Sequence, residues 1–273
     1  YEASAGVLRD YNYFGSTLGL YGNRIVHGRF QLDGSSHQLA CNDGKNHLHG
    51  GGAGFNKKVW DIADVGDCSV TFACMSPDGE EGYPGSLATT VIYSLSEDDK
   101  LRVEIEAVTD KATVVNLTNH TYFNLAGEGA PTILGHLLTL PGSSIVATDS
   151  TNIPTSLQHV AGTPFDFRYP TLIGARIEGD HTQLIAGKGY DHTWVIPPAK
   201  ENLAHAATLK DPSSGRVLKL YTDQPGIQFY SGNYLDGSLT GSGGQPYPFR
   251  SGLCLEPQFY PDSPNHQGES GWQ

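Results

Sequence analysis

Apolar and polar positions alternate along much of this chain, and the alternation has a period of two. Leu101, Val103, Ile105 and Ala107 interleave with Arg102, Glu104 and Glu106, the pattern of a half-buried antiparallel strand. Phe30-Gln31-Leu32, Asp33-Gly34-Ser35-Ser36 and His37-Gln38-Leu39-Ala40 read as a hairpin about a short turn. Two more β-type runs, 69–75 and 87–95, flank a loop marked by Pro77-Asp78-Gly79 and Tyr83-Pro84-Gly85. Comparable runs recur at 112–123, 136–140, 144–148, 192–196, 217–221, 227–230 and 253–259. No window sustains a 3.6-residue apolar period with caps at both ends; short helical turns are expected at 171–177 at most. Many strands without helical crossovers predict an all-β chain, a large antiparallel β-sandwich. No linker or compositional break divides it, so a single domain over 1–273 is the simplest reading.

Composition narrows the function classes. Lys and Arg number 17 against 29 Asp and Glu, a formal charge of −12, which disfavours a nucleic-acid or anionic-membrane surface. No apolar run reaches the roughly 20 residues of a membrane-spanning helix. The 34 glycines and 16 prolines, without a repeat, mean many turns. Cys41, Cys68, Cys74 and Cys254 form no CxxC pair and are expected to be free buried thiols. The chain starts at Tyr1 rather than Met, so a targeting signal is not visible in it.

Several positions carry chemistry. In 112–123, read as one strand, Val114, Asn116, Thr118, His120 and Tyr122 share a face that turns polar toward its C-terminal end. In 253–259, Cys254, Glu256 and Gln258 share a face; a carboxylate between Leu255 and Pro257 is expected to be partly desolvated, which raises its pKa and strengthens it as a base. The alternatives at these positions are a solvated sheet edge and an ordinary salt-bridge partner. His47 and His49 have the His-x-His spacing of zinc ligands, but they sit in the glycine-rich Asn46-His47-Leu48-His49-Gly50-Gly51-Gly52, where the glycines equally suit close backbone approach to a ligand. Asn23-Arg24 and Tyr190-Asp191-His192 are further candidates.

Taken together, six segments resemble the aldose 1-epimerase family. They are Gly22-Asn23-Arg24-Ile25 with Gly28-Arg29-Phe30, then Asn46-His47-Leu48-His49-Gly50-Gly51, then Asp78-Gly79-Glu80-Glu81-Gly82-Tyr83-Pro84-Gly85. After these come Asn116 to Leu125, Gly189-Tyr190-Asp191-His192, and Gly252-Leu253-Cys254-Leu255-Glu256-Pro257-Gln258 followed by Pro261-Asp262-Ser263-Pro264-Asn265. The resemblance implies a supersandwich, here cut short at both ends, and interconversion of the α and β anomers of free aldohexoses such as galactose and glucose. It implies Glu256 as general base, His120 as general acid and His49 as a second active-site histidine. Asn23, Arg24, Asp191 and Gln228 match positions that bind sugar hydroxyls, and neither a metal nor an organic cofactor is implied. Phe123, Trp194 and Phe259 are available to line the sugar's apolar face. The expected partner is a small sugar, with no nucleic acid or membrane, acting on a monomer or homodimer. The expected compartment is the cytoplasm, with secretion left open. The alternatives are a non-catalytic carbohydrate-binding module, a hexose-6-phosphate 1-epimerase, which needs a cationic phosphate pocket, and a zinc hydrolase built from His47, His49, His120 and Glu256.

Overall fold

The computed structural model describes residues 12–199, 202–241, 243–269 and 272. Backbone contacts group the chain into two compact units. The smaller spans Thr17–Leu117; the larger comprises Thr118–Gln273 with the segment that ends at Ser16. Each strand ladder within the units is antiparallel, as the period-two pattern predicts.

The smaller unit holds β1 (Thr17–Leu18), β2 (Arg24–Ile25), β3 (Arg29–Leu32), β4 (Ser35–Gln38), β5 (His47–Leu48), β6 (Asp61–Gly66), β7 (Ser69–Ser76), β8 (Leu87–Leu95) and β9 (Leu101–Thr109). β3 and β4 form the expected hairpin, with a turn tightened to Asp33-Gly34, both at positive φ, so that Leu32 pairs with Ser35. β6 to β9 form a four-stranded meander. The apolar face of β9 is covered only in part: Ile105 lies opposite buried Val91, while Leu101 is exposed. The unit's core gathers Leu20, Tyr21, Ile25, Phe30, Leu39, Phe55, Tyr83 and Leu87.

The larger unit continues with β10 (Thr118–Asn119), β11 (Tyr122–Phe123), β12 (Leu137–Thr139), β13 (Ser144–Thr148), β14 (Pro154–His159), β15 (Thr171–Leu172), β16 (Asp191–Val195), β17 (Ala204–Lys210), β18 (Val217–Thr222), β19 (Gly226–Tyr230) and β20 (Leu253–Gln258). A six-stranded sheet runs β11-β20-β19-β16-β13-β14, and a four-stranded sheet runs β15-β12-β17-β18. Leu138, Ala207 and Leu209 of the second sheet share one apolar core with Ile145, Trp194, Ile227, Phe229, Leu253 and Leu255 of the first. That is a sandwich, its two sheets held by interdigitated side chains.

Two expectations change. Residues 112–123 are not one strand: 112–117 lie outside named strands and only β10 and β11 are paired as strands, with His120 between them. Alternate positions are nonetheless the buried ones here: Asn116, Thr118 and His120 are buried, while Val115, Leu117 and Asn119 are intermediate. The turn at 171–177 resolves into β15 and one 3₁₀ turn, Ile173–Ala175. A six-residue helix, α1 (Thr182–Gly187), stands outside the expected region; one and a half turns are too short for an apolar period to register.

Candidate active site

The six-stranded sheet has two faces of opposite character, and its register says which residue lies on which. Ile227 pairs with Trp194 and Pro257, and Phe229 with His192 and Leu255; the side chains of this set that lie in the core face the second sheet. On the reverse face, Gln228 pairs with Thr193 and Glu256, Tyr230 with Asp191 and Cys254, and Cys254 with Tyr122. Four adjacent strands thus bring Tyr122, Asp191, Thr193, Gln228, Tyr230, Cys254 and Glu256 to one surface. Glu256 is 2% exposed and Gln228 5%, so this polar face is also buried. A buried polar face must be internally hydrogen-bonded or be built for a ligand.

Part of that face is a short relay. Thr193 Oγ1 donates to Gln228 Oε1 (2.5 Å), and Gln228 Nε2 donates to Asp191 Oδ1 (2.7 Å). The amide is thereby fixed in one orientation, and it holds the half-buried Asp191 carboxylate in place. Behind Asp191, its backbone N–H donates to His192 Nδ1 (3.1 Å), and the same ring contacts Gln183 Oε1 through Nε2 (3.1 Å). Gln183 is on α1 and is itself anchored through both amide atoms to the backbone of Thr148. Burial pushes the His192 imidazolium down to about 3, so this ring is a neutral strut.

His120 is held by its backbone. Its N–H donates to Ser16 O (2.9 Å), and its C=O accepts from Gly15 N (3.1 Å). Its ring packs beside Tyr13, Tyr122 and Tyr230. Nε2 lies 3.7 Å from Glu256 Oε1, and Nδ1 lies 3.4 Å from Cys254 Sγ. The first distance is too long for a hydrogen bond. Burial brings His120 down to about 4, so its ring is neutral at pH 7. His120, Cys254 and Glu256 offer donor atoms within 4.8 Å of one another. The ring turns one nitrogen to the thiol and the other toward the carboxylate, whereas a single ion can take only one of the two. The ring thus stands between a thiol on one side and a carboxylate on the other.

The smaller unit places the remaining candidates. Asn23 and His49 lock together: Asn23 N–H donates to His49 Nδ1 (3.0 Å), and His49 N–H donates to Asn23 O (3.1 Å). Both residues take left-handed backbone, φ 66° and 52°, a strain that is retained where the surroundings over-determine it. Arg24 Nε donates to Asp43 Oδ2 (2.7 Å) and its N–H to Asn23 Oδ1 (2.9 Å). Gly50 follows His49 at φ 86°, and a Cβ there would collide with the Gly19 carbonyl, so that turn requires glycine. His47 is a buried structural residue, its Nδ1 against Ala40 O (2.6 Å) and its Nε2 against the Tyr83 hydroxyl (2.6 Å).

Other assignments from sequence need correction. Trp194 is wholly buried in the core, with its indole N–H donating to Phe165 O (3.2 Å), and Phe123 pairs with Leu253 on that same side. Phe259 is 41% exposed. The aromatic groups on the polar face are Tyr122 and Tyr230. All four cysteines are free, but only Cys254 is buried; Cys41 and Cys68 are exposed, and Cys74 is intermediate. Among the described residues no helix is long and apolar enough to cross a membrane.

Fold and site together describe a β-sandwich protein with an imidazole–carboxylate pair on a buried polar sheet face. The sequence model of the family described as aldose 1-epimerase matches residues 1–271. Galactose mutarotase from Bos taurus is 43% identical over 266 residues, covering 97% of this chain and 75% of the relative. Aldose 1-epimerase from Escherichia coli K12 is 40% identical over 255 residues, covering 93% and 73%. Among solved structures, an aldose epimerase homologue from C. elegans superposes with a TM-score of 0.87 at 27% identity, covering 97% of this chain and 78% of that one. Galactose 1-epimerase from Lactobacillus acidophilus NCFM gives 0.82 at 28%, covering 95% and 75%. The chain belongs to the aldose 1-epimerase family and is an enzyme of the isomerase class.

Proposed function

We propose that this chain is a mutarotase, interconverting the α and β anomers of free aldohexoses, galactose and glucose among them. The observation that carries the reading is the 3.7 Å between His120 Nε2 and Glu256 Oε1 on a buried face. Mutarotation moves one proton off the anomeric hydroxyl and one onto the ring oxygen, and both oxygens are bonded to the same carbon. The acid and the base must therefore be close neighbours. A glycosidase, by contrast, needs two carboxyl groups about 5–5.5 Å apart to retain configuration, or about 6.5–9.5 Å apart to invert it.

In this reading Glu256 takes the proton of the anomeric hydroxyl. The electrons of that O–H bond form the carbonyl, the bond from C1 to the ring oxygen breaks, and that oxygen takes the proton of His120. Rotation about C1–C2 and the reverse transfers close the ring on the other face. The His120 ring is neutral at pH 7, so the acid is its minor, protonated form, which faces the Glu256 carboxylate across 3.7 Å. A well-placed acid or base each contributes roughly 10²–10⁴-fold. Asp191, oriented by Gln228, accepts from a sugar hydroxyl away from the reacting carbon and fixes the pose. On the family resemblance, Asn23 and Arg24 are assigned to hydroxyl binding and His49 is assigned as a second active-site histidine. The relatives named galactose mutarotase support galactose as a substrate.

Polarimetry of freshly dissolved α-galactose, α-glucose and glucose 6-phosphate tests the reading. Accelerated decay of rotation with the free sugars is expected. No acceleration with either free sugar rejects turnover and leaves a binding module. Acceleration confined to the phosphate ester rejects the free-sugar reading.

A further inference from the structure

Cys254 is absorbed by neither the acid–base pair nor the hydroxyl-binding relay. It lies on β20 two residues before Glu256, on the same face, opposite Tyr230 on one side and Tyr122 on the other. It is wholly buried, and its Sγ is 3.4 Å from Nδ1 of His120. We propose that the Cys254 thiol is a positioning residue for His120: it holds Nδ1, so that Nε2 is the nitrogen that exchanges a proton with the sugar. The inference rests on the assignment of His120 as the acid.

The chemistry of the two groups fits. Burial, then the nearby Glu256 charge, hold the Cys254 thiol well above its usual pKa, so it keeps its hydrogen and donates. The neutral His120 ring has one bare nitrogen to accept it. Which imidazole nitrogen carries the proton is set by the hydrogen bond that the other one makes. An S–H donated to Nδ1 therefore leaves the hydrogen on Nε2, the nitrogen on the Glu256 side. When the ring is doubly protonated, Nδ1–H donates back to sulfur by rotation of the thiol. One side chain thus holds the ring in both protonation states without moving it. The Tyr122 side chain also hydrogen-bonds Cys254 and restrains it.

The test combines ¹⁵N spectra of the imidazole with steady-state kinetics. In the wild-type enzyme at neutral pH, the His120 resonances are expected to show a bare Nδ1 and a protonated Nε2; a proton resident on Nδ1 overturns the proposal, with no variant needed. For C254A, a mixture of tautomers is expected, with kcat about tenfold lower and KM within about twofold, because a misoriented acid slows chemistry without removing a sugar contact. C254S supplies a hydroxyl in place of the thiol and is expected to recover most of the lost rate, which a purely space-filling role would not require. An unchanged kcat in C254A alongside an inactive H120Q overturns the positioning role alone. A wild-type rate in H120Q shows that the acid assignment has failed, and the role of Cys254 with it.

Discussion

Gln228 illustrates how much a single amide can fix. Its oxygen is occupied by Thr193 and its nitrogen by Asp191, so a truncation releases a buried hydroxyl and a half-buried carboxylate at once. Q228A is expected to raise KM for galactose about tenfold while kcat falls less, because the lost group orients the sugar rather than moving a proton. Steady-state polarimetry measures both, and an unchanged KM contradicts the role given to Asp191 and Gln228. Glu256 was legible in the sequence because Leu255 and Pro257 flank it, and Cys254 and Gln258 were legible as residues on its face. Trp194 and Phe123, available to line the sugar on sequence grounds, lie on the core side; the alternation that puts Tyr122 on the polar face puts Phe123 on the other. Alternation alone separates Asp191 and Thr193 from His192 and Trp194, and that separation identifies Trp194 as a core residue. His120 was legible only as one residue of a face that turns polar; the backbone bonds that hold it go to Gly15 and Ser16, more than a hundred residues away along the chain.

Strands β19 and β20 are buried on both faces, which is why they read as nearly continuous apolar runs with a few polar residues embedded. Antiparallel strands of the meander read more plainly, because one face of β9 carries Arg102, Glu104 and Glu106. The short elements were the illegible ones. β10 and β11 have two residues each, and α1 is recognisable only from its hydrogen bonds: His181 accepts from Gln183 N at its start, and Lys188 turns left-handed at its end. Gly189 then leads into β16 at φ 135°, and a Cβ there would approach Asn233 Oδ1 to 2.6 Å. G189A is expected to lower stability by roughly 1–3 kcal/mol through backbone strain and to raise KM by shifting Asp191. A urea titration alongside the kinetic assay checks this; wild-type values in both contradict the view that this turn positions the strand.

The whole molecule buries neutral histidines, and that makes it sensitive to acid. The imidazoles of His120 and His192 are brought by burial from their usual 6.5 down to about 4 and about 3. With folded pKa values below the unfolded ones, the unfolded chain binds more protons across this interval. Their contribution to stability is complete above pH 6.5 and is lost as pH falls toward 4 and 3. At pH 5 the loss is about 2 kcal/mol for each. Urea midpoints are expected to fall steadily between pH 7 and 5, and H192N is expected to flatten part of that slope. A midpoint constant over this range contradicts the burial of neutral rings. The same enclosure gives the central claim its force, because the sandwich brings residues 120 and 256 together on one buried surface and leaves them 3.7 Å apart. The most direct test of that claim is the decay of optical rotation of fresh α-galactose in the presence of the folded E256Q variant, with sugar binding followed by calorimetry. Rate acceleration lowered by roughly 10²–10⁴-fold with binding retained is the expected result; decay as fast as with the wild-type enzyme would show that the carboxylate at 256 is not the base.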